Sequence, residues 1–227
     1  MEDNFALADT EEMKELVQQK IKTEQYVTQI KKHQALKAEL ELQEYAAAVS
    51  SAQASNFRNR TYDFVSTVTE GSVESALDSI TRWVREAPEK GITIRFTSGG
   101  GDGISGLVLF DALRAIDTDG TPVTTVALGQ AASMAAILVQ AGRERVIGPH
   151  ARFLIHQGSF QMAGKLSDIE ITADMAKEMN ETMIGILAER SGKLTATEIR
   201  SKIKKGDWWL TADKFIKFGF ADRKGYR

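Results

Sequence analysis

The residues around Ser133 suggest that its hydroxyl could do chemistry. Ser133 lies in the small-residue segment GQAASMAA (residues 129–136), directly after a predicted strand. Small neighbours let a substrate carbonyl approach the hydroxyl, and the amide of Met134, in the first turn of a following helix, is placed to donate to an oxyanion. A serine at the start of a helix is also a common N-cap, so the segment alone leaves both roles open.

A serine nucleophile needs a base, and the chain has three histidines. His33 lies in a highly charged helical segment and His150 follows a proline in a turn, whereas His156 ends the predicted strand 152–155. Active sites are commonly built at strand ends in parallel sheets, where a neutral imidazole can take the serine proton and return it to the leaving amine. A hydrogen-bonded core histidine is the alternative role for His156.

An imidazole base is oriented by a carboxylate. The candidates are Asp168, Glu170, Asp174 and Asp207. Asp207 is favoured because two tryptophans and a leucine follow it in GDWWL (residues 206–210), which predicts a partly buried acid in need of a partner. A helix or turn cap is its alternative role.

A glycine cluster, SGGGDGISG (residues 98–106), joins a predicted strand to a predicted helix. It matches the GxGxxG pattern of dinucleotide-binding loops, but the next strand ends in ALGQ (residues 127–130) without the acid that binds a ribose. A phosphate-binding lysine is also missing. Open amides in such a loop can stabilise an oxyanion. A tight turn without chemistry remains the other reading.

Glycine and proline divide the chain, because none of them occurs before Gly71. Residues 9–51 are rich in helix formers and predict one long helix that begins with Asp9 as its N-cap. Residues 46–56 are predicted to be the end of that helix and a linker. We expect two parts: an N-terminal helical extension, 1–57, and a catalytic domain, 58–227. The polar helix is expected to pack on a partner subunit or a second copy, the alternative being a fluctuating tail.

Short strand-like runs alternate with helical runs after the extension. This alternation predicts an α/β domain with a mostly parallel sheet. Strands are predicted at 62–68, 92–96, 123–128, 145–147 and 152–155, and helices at 73–86, 107–116, 133–141, 171–191 and 196–204.

Composition narrows the possible functions. The formal net charge of −2 gives no general attraction for nucleic acid or an anionic membrane. The absence of cysteine excludes disulfides, thiolate metal sites and a cysteine nucleophile. No apolar run approaches the ~20 residues of a membrane span, and the acidic start does not resemble a secretion signal. We therefore expect a cytoplasmic protein with no cofactor, no metal, no nucleic acid and no membrane as partner.

Several of these motifs together resemble the Clp protease proteolytic subunit family. They follow the family's order from about residue 58 to residue 222. The matching segments are SGGG (98–101), GQAASMAA (129–136), FLIHQ (153–157), SDIEI (167–171), GDWWLTA (206–212) and FGFAD (218–222). The resemblance implies an α/β, crotonase-like superhelical ββα domain, here with a long N-terminal helical extension.

The resemblance also implies the roles of five residues. Ser133 is then the nucleophile, His156 the general base and acid, and Asp207 the orienting carboxylate. The backbone N–H groups of Gly101 and Met134 form the oxyanion hole.

The implied function is that of a serine endopeptidase that cleaves polypeptides through an acyl-enzyme. The family forms rings of seven that stack into a closed chamber fed by an AAA+ ATPase unfoldase, so a homo-oligomer and such a partner are expected. Gly99 stands where the family's oxyanion loop has a proline, Gly206 stands where the family has a basic residue, and the helical extension replaces a short pore-lining segment.

Three other functions stay open at this point. The same chemistry could serve a phage or prophage capsid-maturation (prohead) protease, with capsid proteins as partners and the helix as a scaffold or targeting arm. The fold could instead be kept as a non-catalytic assembly module. Acyl-CoA chemistry is the third, since the crotonase fold also pairs two amides around a thioester oxygen, although it needs no Ser–His–Asp set.

Overall fold

The computed structural model describes residues 11–158 and 165–227, and contacts divide the chain into two compact units, 1–54 and 55–227. Helix α1 (Glu11–Asn59) contains all of the described residues of the first unit, 11–54. It runs through residues 46–56, so the predicted linker is wrong: this alanine-rich stretch lacks glycine and proline and continues the helix. The predicted N-cap Asp9 lies outside the described residues. Side chains 13–39 are all exposed.

The second unit alternates strands and helices, as predicted. In chain order it contains β1 (Thr61–Phe64), α2 (Glu70–Glu86), β2 (Ile92–Ser98), α3 (Gly103–Thr118), β3 (Val123–Ala132), α4 (Met134–Leu138), a 3₁₀ turn (Val139–Ala141), β4 (Glu144–Ile147), β5 (Arg152–Ile155), α5 (Leu166–Ser191), α6 (Ala196–Ile203), β6 (Trp208–Thr211), α7 (Ala212–Lys217) and β7 (Arg223–Lys224).

A mostly parallel sheet forms the centre of this unit, in the order β1-β2-β3-β4-β7. Strand β3 is long enough to have two neighbours on one side: its first half pairs with β4 and its second half with β5, both in parallel. Strand β6 then adds to β5 as an antiparallel edge. This architecture confirms the predicted α/β class.

Helices cover the sheet with their apolar faces. In α2 the buried residues Val73, Ala76, Ile80 and Trp83 follow a helical spacing. The core of the unit runs from Phe64 to Ala221 and is built mainly from strand and helix residues that are almost fully buried. The described residues contain no helix that is both long and apolar enough to cross a bilayer.

Two predicted elements differ from the structure by more than their end positions, and three short elements were not predicted. Strand β1 ends at Phe64 rather than at Val68, which instead forms an isolated bridge to Gly101. The predicted helix 133–141 is divided into α4 and the 3₁₀ turn. Elements β6, α7 and β7 were not predicted, because segments of two to six residues carry too little periodicity.

Candidate active site

Ser133 lies at the sharp change of direction between β3 and α4. Its backbone has φ 53° and ψ −125°, a conformation that a residue with a side chain rarely adopts. The Ser133 N–H donates to the carbonyl of Leu154 at 2.8 Å, which ties this turn to β5. Ser133 holds the N-cap position of α4, but its hydroxyl makes no capping hydrogen bond. The side chain is therefore free of the structural role that its position suggests.

The glycine loop packs directly against this turn. A Cβ on Gly100 would lie 2.7 Å from the Cβ of Ser133 and 2.9 Å from the amide nitrogen of Met134, and Gly100 has φ +93°. Only glycine permits both the contact and the conformation. The loop thus approaches the Ser133 turn at backbone distance.

The hydrogen bonds of this loop fix the direction of one amide. Val68 N–H donates to Gly100 O at 2.9 Å, and Asp102 N–H donates to Val68 O at 2.8 Å. In this parallel bridge the N–H of Gly101, which lies between them, points away from Val68. The Met134 amide is in the first turn of α4, where helical N–H groups have no partner within the helix.

Asp102 anchors the other end of the loop. Its carboxylate accepts a hydrogen bond from Ser105 N–H at 2.7 Å and caps α3. Hydrogen bonds from the side chain and the backbone of Ser105 lower the pKa of Asp102 below its usual value, because they favour the charged form. The loop therefore joins the sheet to a capped helix through an ionised residue.

Strand pairing determines where His156 and Asp207 lie. Ile155, the last residue of β5, pairs with Trp208, the first residue of β6. His156 follows Ile155 and Asp207 precedes Trp208, so the antiparallel register continued by one residue brings His156 opposite Asp207. Ser133 follows β3 beside the same end of β5. The ends of three adjacent strands thus hold these three residues.

A cavity of about 190 Å³ lies beside these strand ends. Gly101, Ser133, Met134 and His156 line it together with Asp102. Its other walls are mostly apolar and come from α4, β5, α5 and α6; they include Ile137, Ile155, Met179, Met183, Ile184, Leu187 and Ile203. A dry cavity of about 150 Å³ holds a benzene ring, so this one has room for a single apolar side chain.

The α5 wall was missed by the sequence analysis. Met179, Met183 and Leu187 recur every four residues, which places them on one face of the helix. The sequence predicted the helix but not which neighbour its apolar face would meet. Asn180 adds a polar group to the cavity lining.

The candidate residues are only partly brought together. Ser133, Met134, Gly101 and His156 line one cavity, whereas Asp207 does not. In the described part of the chain no hydrogen bond joins Ser133, His156 and Asp207 to one another. The remaining candidates lie elsewhere and are exposed: His33 on α1, His150 in the turn before β5, and Asp168, Glu170 and Asp174 on α5.

The predicted burial of Asp207 is wrong, because its side chain is exposed. Gly206, with φ +124°, turns the chain outward just before it. Of the two tryptophans that follow, Trp208 packs against the core while Trp209 is half exposed. Alternation along a strand separates these side chains, so apolar neighbours in sequence do not enclose the acid.

Comparison with known proteins supplies relatives of this chain. Similar proteins include ATP-dependent Clp protease proteolytic subunit 2 of Bifidobacterium longum (35% identity over 140 residues, 61% of this chain and 65% of the relative). Proteolytic subunit 1 of Corynebacterium glutamicum is 38% identical over 139 residues (60% and 64%). The proteolytic subunit of Bacteroides fragilis is 36% identical over 141 residues (60% and 64%). The matched part thus spans just under two thirds of these relatives.

The family model described as Clp protease matches residues 43–224, a longer span than the motifs alone suggested. That match covers most of the chain, and it includes the glycine loop and the Ser133, His156 and Asp207 segments. This confirms the family resemblance seen in the motifs: the chain belongs to the Clp protease family.

Proposed function

We propose that this protein is a serine endopeptidase of the Clp type that hydrolyses peptide bonds in polypeptides. In this proposal Ser133 is the nucleophile, His156 the general base and acid, and Asp207 the carboxylate that orients His156. One observation carries the proposal: the three residues follow or precede the ends of three adjacent strands, beside a cavity that Ser133 and His156 line.

The proposed reaction has two halves. The Ser133 hydroxyl oxygen attacks the scissile carbonyl carbon while His156 takes the hydroxyl proton. The N–H groups of Gly101 and Met134 stabilise the oxyanion, and the C–N bond then breaks as His156 gives its proton to the leaving amine. In the second half, the oxygen of a water molecule attacks the acyl carbon while His156 takes a water proton. The ester bond to Ser133 then breaks, His156 gives its proton to the Ser133 oxygen, and the carboxylic acid product leaves.

The cavity supports a preference for one apolar side chain next to the scissile bond. Its walls include two methionines, Met179 and Met183, whose flexible side chains adapt to different shapes. We expect peptides with leucine, methionine or phenylalanine at this position to be cleaved.

We further propose that the protein acts as a homo-oligomeric ring in the cytoplasm, together with an AAA+ ATPase unfoldase. The names of the relatives, ATP-dependent Clp protease proteolytic subunits, suggest such an assembly. Exposed apolar pairs on the second unit support association: Ile104 and Val108 on α3, and Ile171 and Met175 on α5. Each pair is four residues apart and therefore lies on one helix face.

Labelling with a fluorophosphonate probe, followed by hydrolysis of a fluorogenic peptide, tests the chemistry. We expect the wild type to be labelled and Ser133→Ala to be unlabelled. His156→Gln and Asp207→Asn should lower peptide hydrolysis by about 10³-fold or more. Ser75→Ala, an exposed serine on α2, is the matched control and should behave as the wild type. Equal labelling of the wild type and Ser133→Ala would refute the assignment.

A non-catalytic assembly module is the second candidate. It is favoured by the lack of hydrogen bonds among Ser133, His156 and Asp207 in the described residues, although such contacts often form only with substrate bound. A wild type that assembles but neither reacts with the probe nor cleaves casein would support this candidate.

A further inference from the structure

Asp207 lies between the end of α6 and the start of β6: before it, Lys205 N–H donates to Lys202 O at 3.3 Å and Gly206 N–H donates to Ile203 O at 3.2 Å. Lys205, Gly206 and Asp207 are all exposed, Gly206 has a positive φ, and a Cβ added to Gly206 would meet no atom within 4 Å. The described residues include no hydrogen-bonding partner for the Asp207 carboxylate. The position of this carboxylate therefore depends on the backbone on either side of it, and on its C-terminal side that backbone is Trp208, the first residue of β6.

Trp208 is the first anchored residue of β6. It pairs with Ile155, the residue before His156, and it directly follows Asp207. The backbone of Trp208 therefore connects the segment that carries Asp207 to the segment that carries His156. Its ring packs against Phe218 with centroids 5.3 Å apart and against Phe220 with centroids 6.0 Å apart. A shift of this ring would move both strand ends.

Lys202 completes this cluster from α6. Its ammonium nitrogen lies 5.1 Å from the centroid of the Trp208 ring and 5.2 Å from that of Phe218. Both distances are within the range of a cation–π interaction, and tryptophan is the strongest aromatic partner. One cation thus links two rings that come from β6 and from the segment after α7.

We infer that Lys202 is a positioning residue, which holds Trp208 against Phe218 and thereby sets the geometry of Asp207 and His156. This inference rests on the proposed function, because it assigns Asp207 to the reaction. Lys202 itself does not line the cavity and touches no reacting atom. Its side chain is linked to the site through Trp208, which pairs with Ile155 beside His156.

The test compares Lys202→Met, which keeps the apolar stem and removes the charge, with Lys202→Arg, which keeps a cation over the rings. We expect Lys202→Met to lower kcat about 5-fold and leave KM within about 2-fold, since a cation–π contact corresponds to roughly 2- to 30-fold in an equilibrium. Lys202→Arg should restore most of kcat. Lys205→Met removes an exposed lysine beside Asp207 without a ring contact and should match the wild type.

Hydrogen exchange of the peptide covering residues 206–211 gives a readout that is independent of activity. It should be faster in Lys202→Met and normal in Lys202→Arg. Unchanged kcat and exchange in Lys202→Met would overturn the inference, as would equal losses in the methionine and arginine variants. An inactive wild type would refute the proposed function, while the exchange of the two variants would still decide whether Lys202 orders this strand end.

Discussion

Ser133 combines a strained backbone with a hydroxyl that makes no capping hydrogen bond to α4. Its φ of +53° costs on the order of 1–3 kcal/mol for a residue that is not glycine, and such strain persists only where neighbours impose it. Here the neighbours are Leu154, which accepts the Ser133 N–H, and Gly100, whose backbone fills the other side. The Ser133 turn is therefore built by two segments distant in sequence.

Gly100→Ala tests how far the proposed nucleophile depends on this contact. The added methyl group would lie 2.7 Å from Ala132 O and from Ser133 Cβ, too close for either atom, and φ is +93°. We expect a loss of about 2 kcal/mol in the free energy of unfolding and at least about 10-fold slower labelling of Ser133 by a fluorophosphonate. Denaturant unfolding and labelling rates measure the two effects.

Gly99→Ala is the matched control for this change. A Cβ at Gly99 meets nothing within 4 Å. Its stability and labelling should stay close to those of the wild type, because an alanine that fits the native conformation usually costs nothing. Similar losses in the two variants would mean that the loop tolerates no side chain anywhere, and that the contact with Ser133 is not the cause.

The long elements of the second unit could be predicted from sequence because each carries its own periodicity. Helix α2 and strands β2 and β3 have apolar faces that match one element type. Strand β6 has no such signal: four residues with two adjacent tryptophans become a strand only because β5 offers a partner. The positions of Ser133 and His156 could be inferred from the strands before them, whereas the exposure of Asp207 depended on this unpredicted strand.

Elements that are distant in sequence are tied together by one buried arginine. Arg145, on β4, makes hydrogen bonds to both carboxylate oxygens of Asp222, to Gln140 Oε1, and to the carbonyls of Arg190 and Gly219. Only 10% of its side chain is exposed. Burial alone raises the pKa of Asp222, but the hydrogen bonds from the side chain and backbone of Arg145 outweigh it, so the pKa lies below its usual value.

Asp222→Asn should therefore destabilise the protein in a pH-dependent way. Removing one partner leaves a buried guanidinium with less compensation, and since 41% of the Asp222 side chain is exposed, we expect a loss of about 2 kcal/mol at neutral pH. A lowered pKa stabilises the fold above the unfolded-state value, about 3.9, and this contribution is lost as pH falls through the folded-state pKa. The difference between the two proteins should shrink below about pH 4.

Urea unfolding at several pH values measures this dependence. Asp213→Asn is the control, because Asp213 pairs with Lys224 through a side chain that is 79% exposed, and such pairs contribute little. A stability difference for Asp222→Asn that stays constant down to pH 3 would show that packing, rather than the charge of the carboxylate, explains the loss.

At the scale of the whole molecule, the core cluster of the described residues lies in the second unit. The core cluster begins at Phe64, and Arg60, near the start of the second unit, donates to the carbonyls of Trp83, Lys90 and Gly91. The described side chains of α1, residues 13–39, are exposed and include apolar residues such as Leu16 and Ile30. Helix α1 therefore has an apolar surface that this chain leaves uncovered in the described residues.

These observations lead us to propose residues 1–57 and 58–227 as separable parts. A chain that begins at residue 58 keeps Arg60 and the whole core cluster. We expect its Tm to stay within about 3 °C of that of the full chain, since the described core cluster is kept whole and a change of about 1 kcal/mol shifts Tm by roughly 2–4 °C at this size. Its Ser133 should still react with a fluorophosphonate.

Native mass spectrometry of the two chains then separates the roles of the parts. The shortened chain should still form an oligomer, because Ile104, Val108, Ile171 and Met175 remain exposed on α3 and α5. If the full chain forms the same oligomer, α1 serves contacts with another partner; if it forms a larger one, α1 joins copies to each other. A shortened chain that unfolds or is monomeric would contradict the proposed division, since the second unit would then need α1 to fold or assemble.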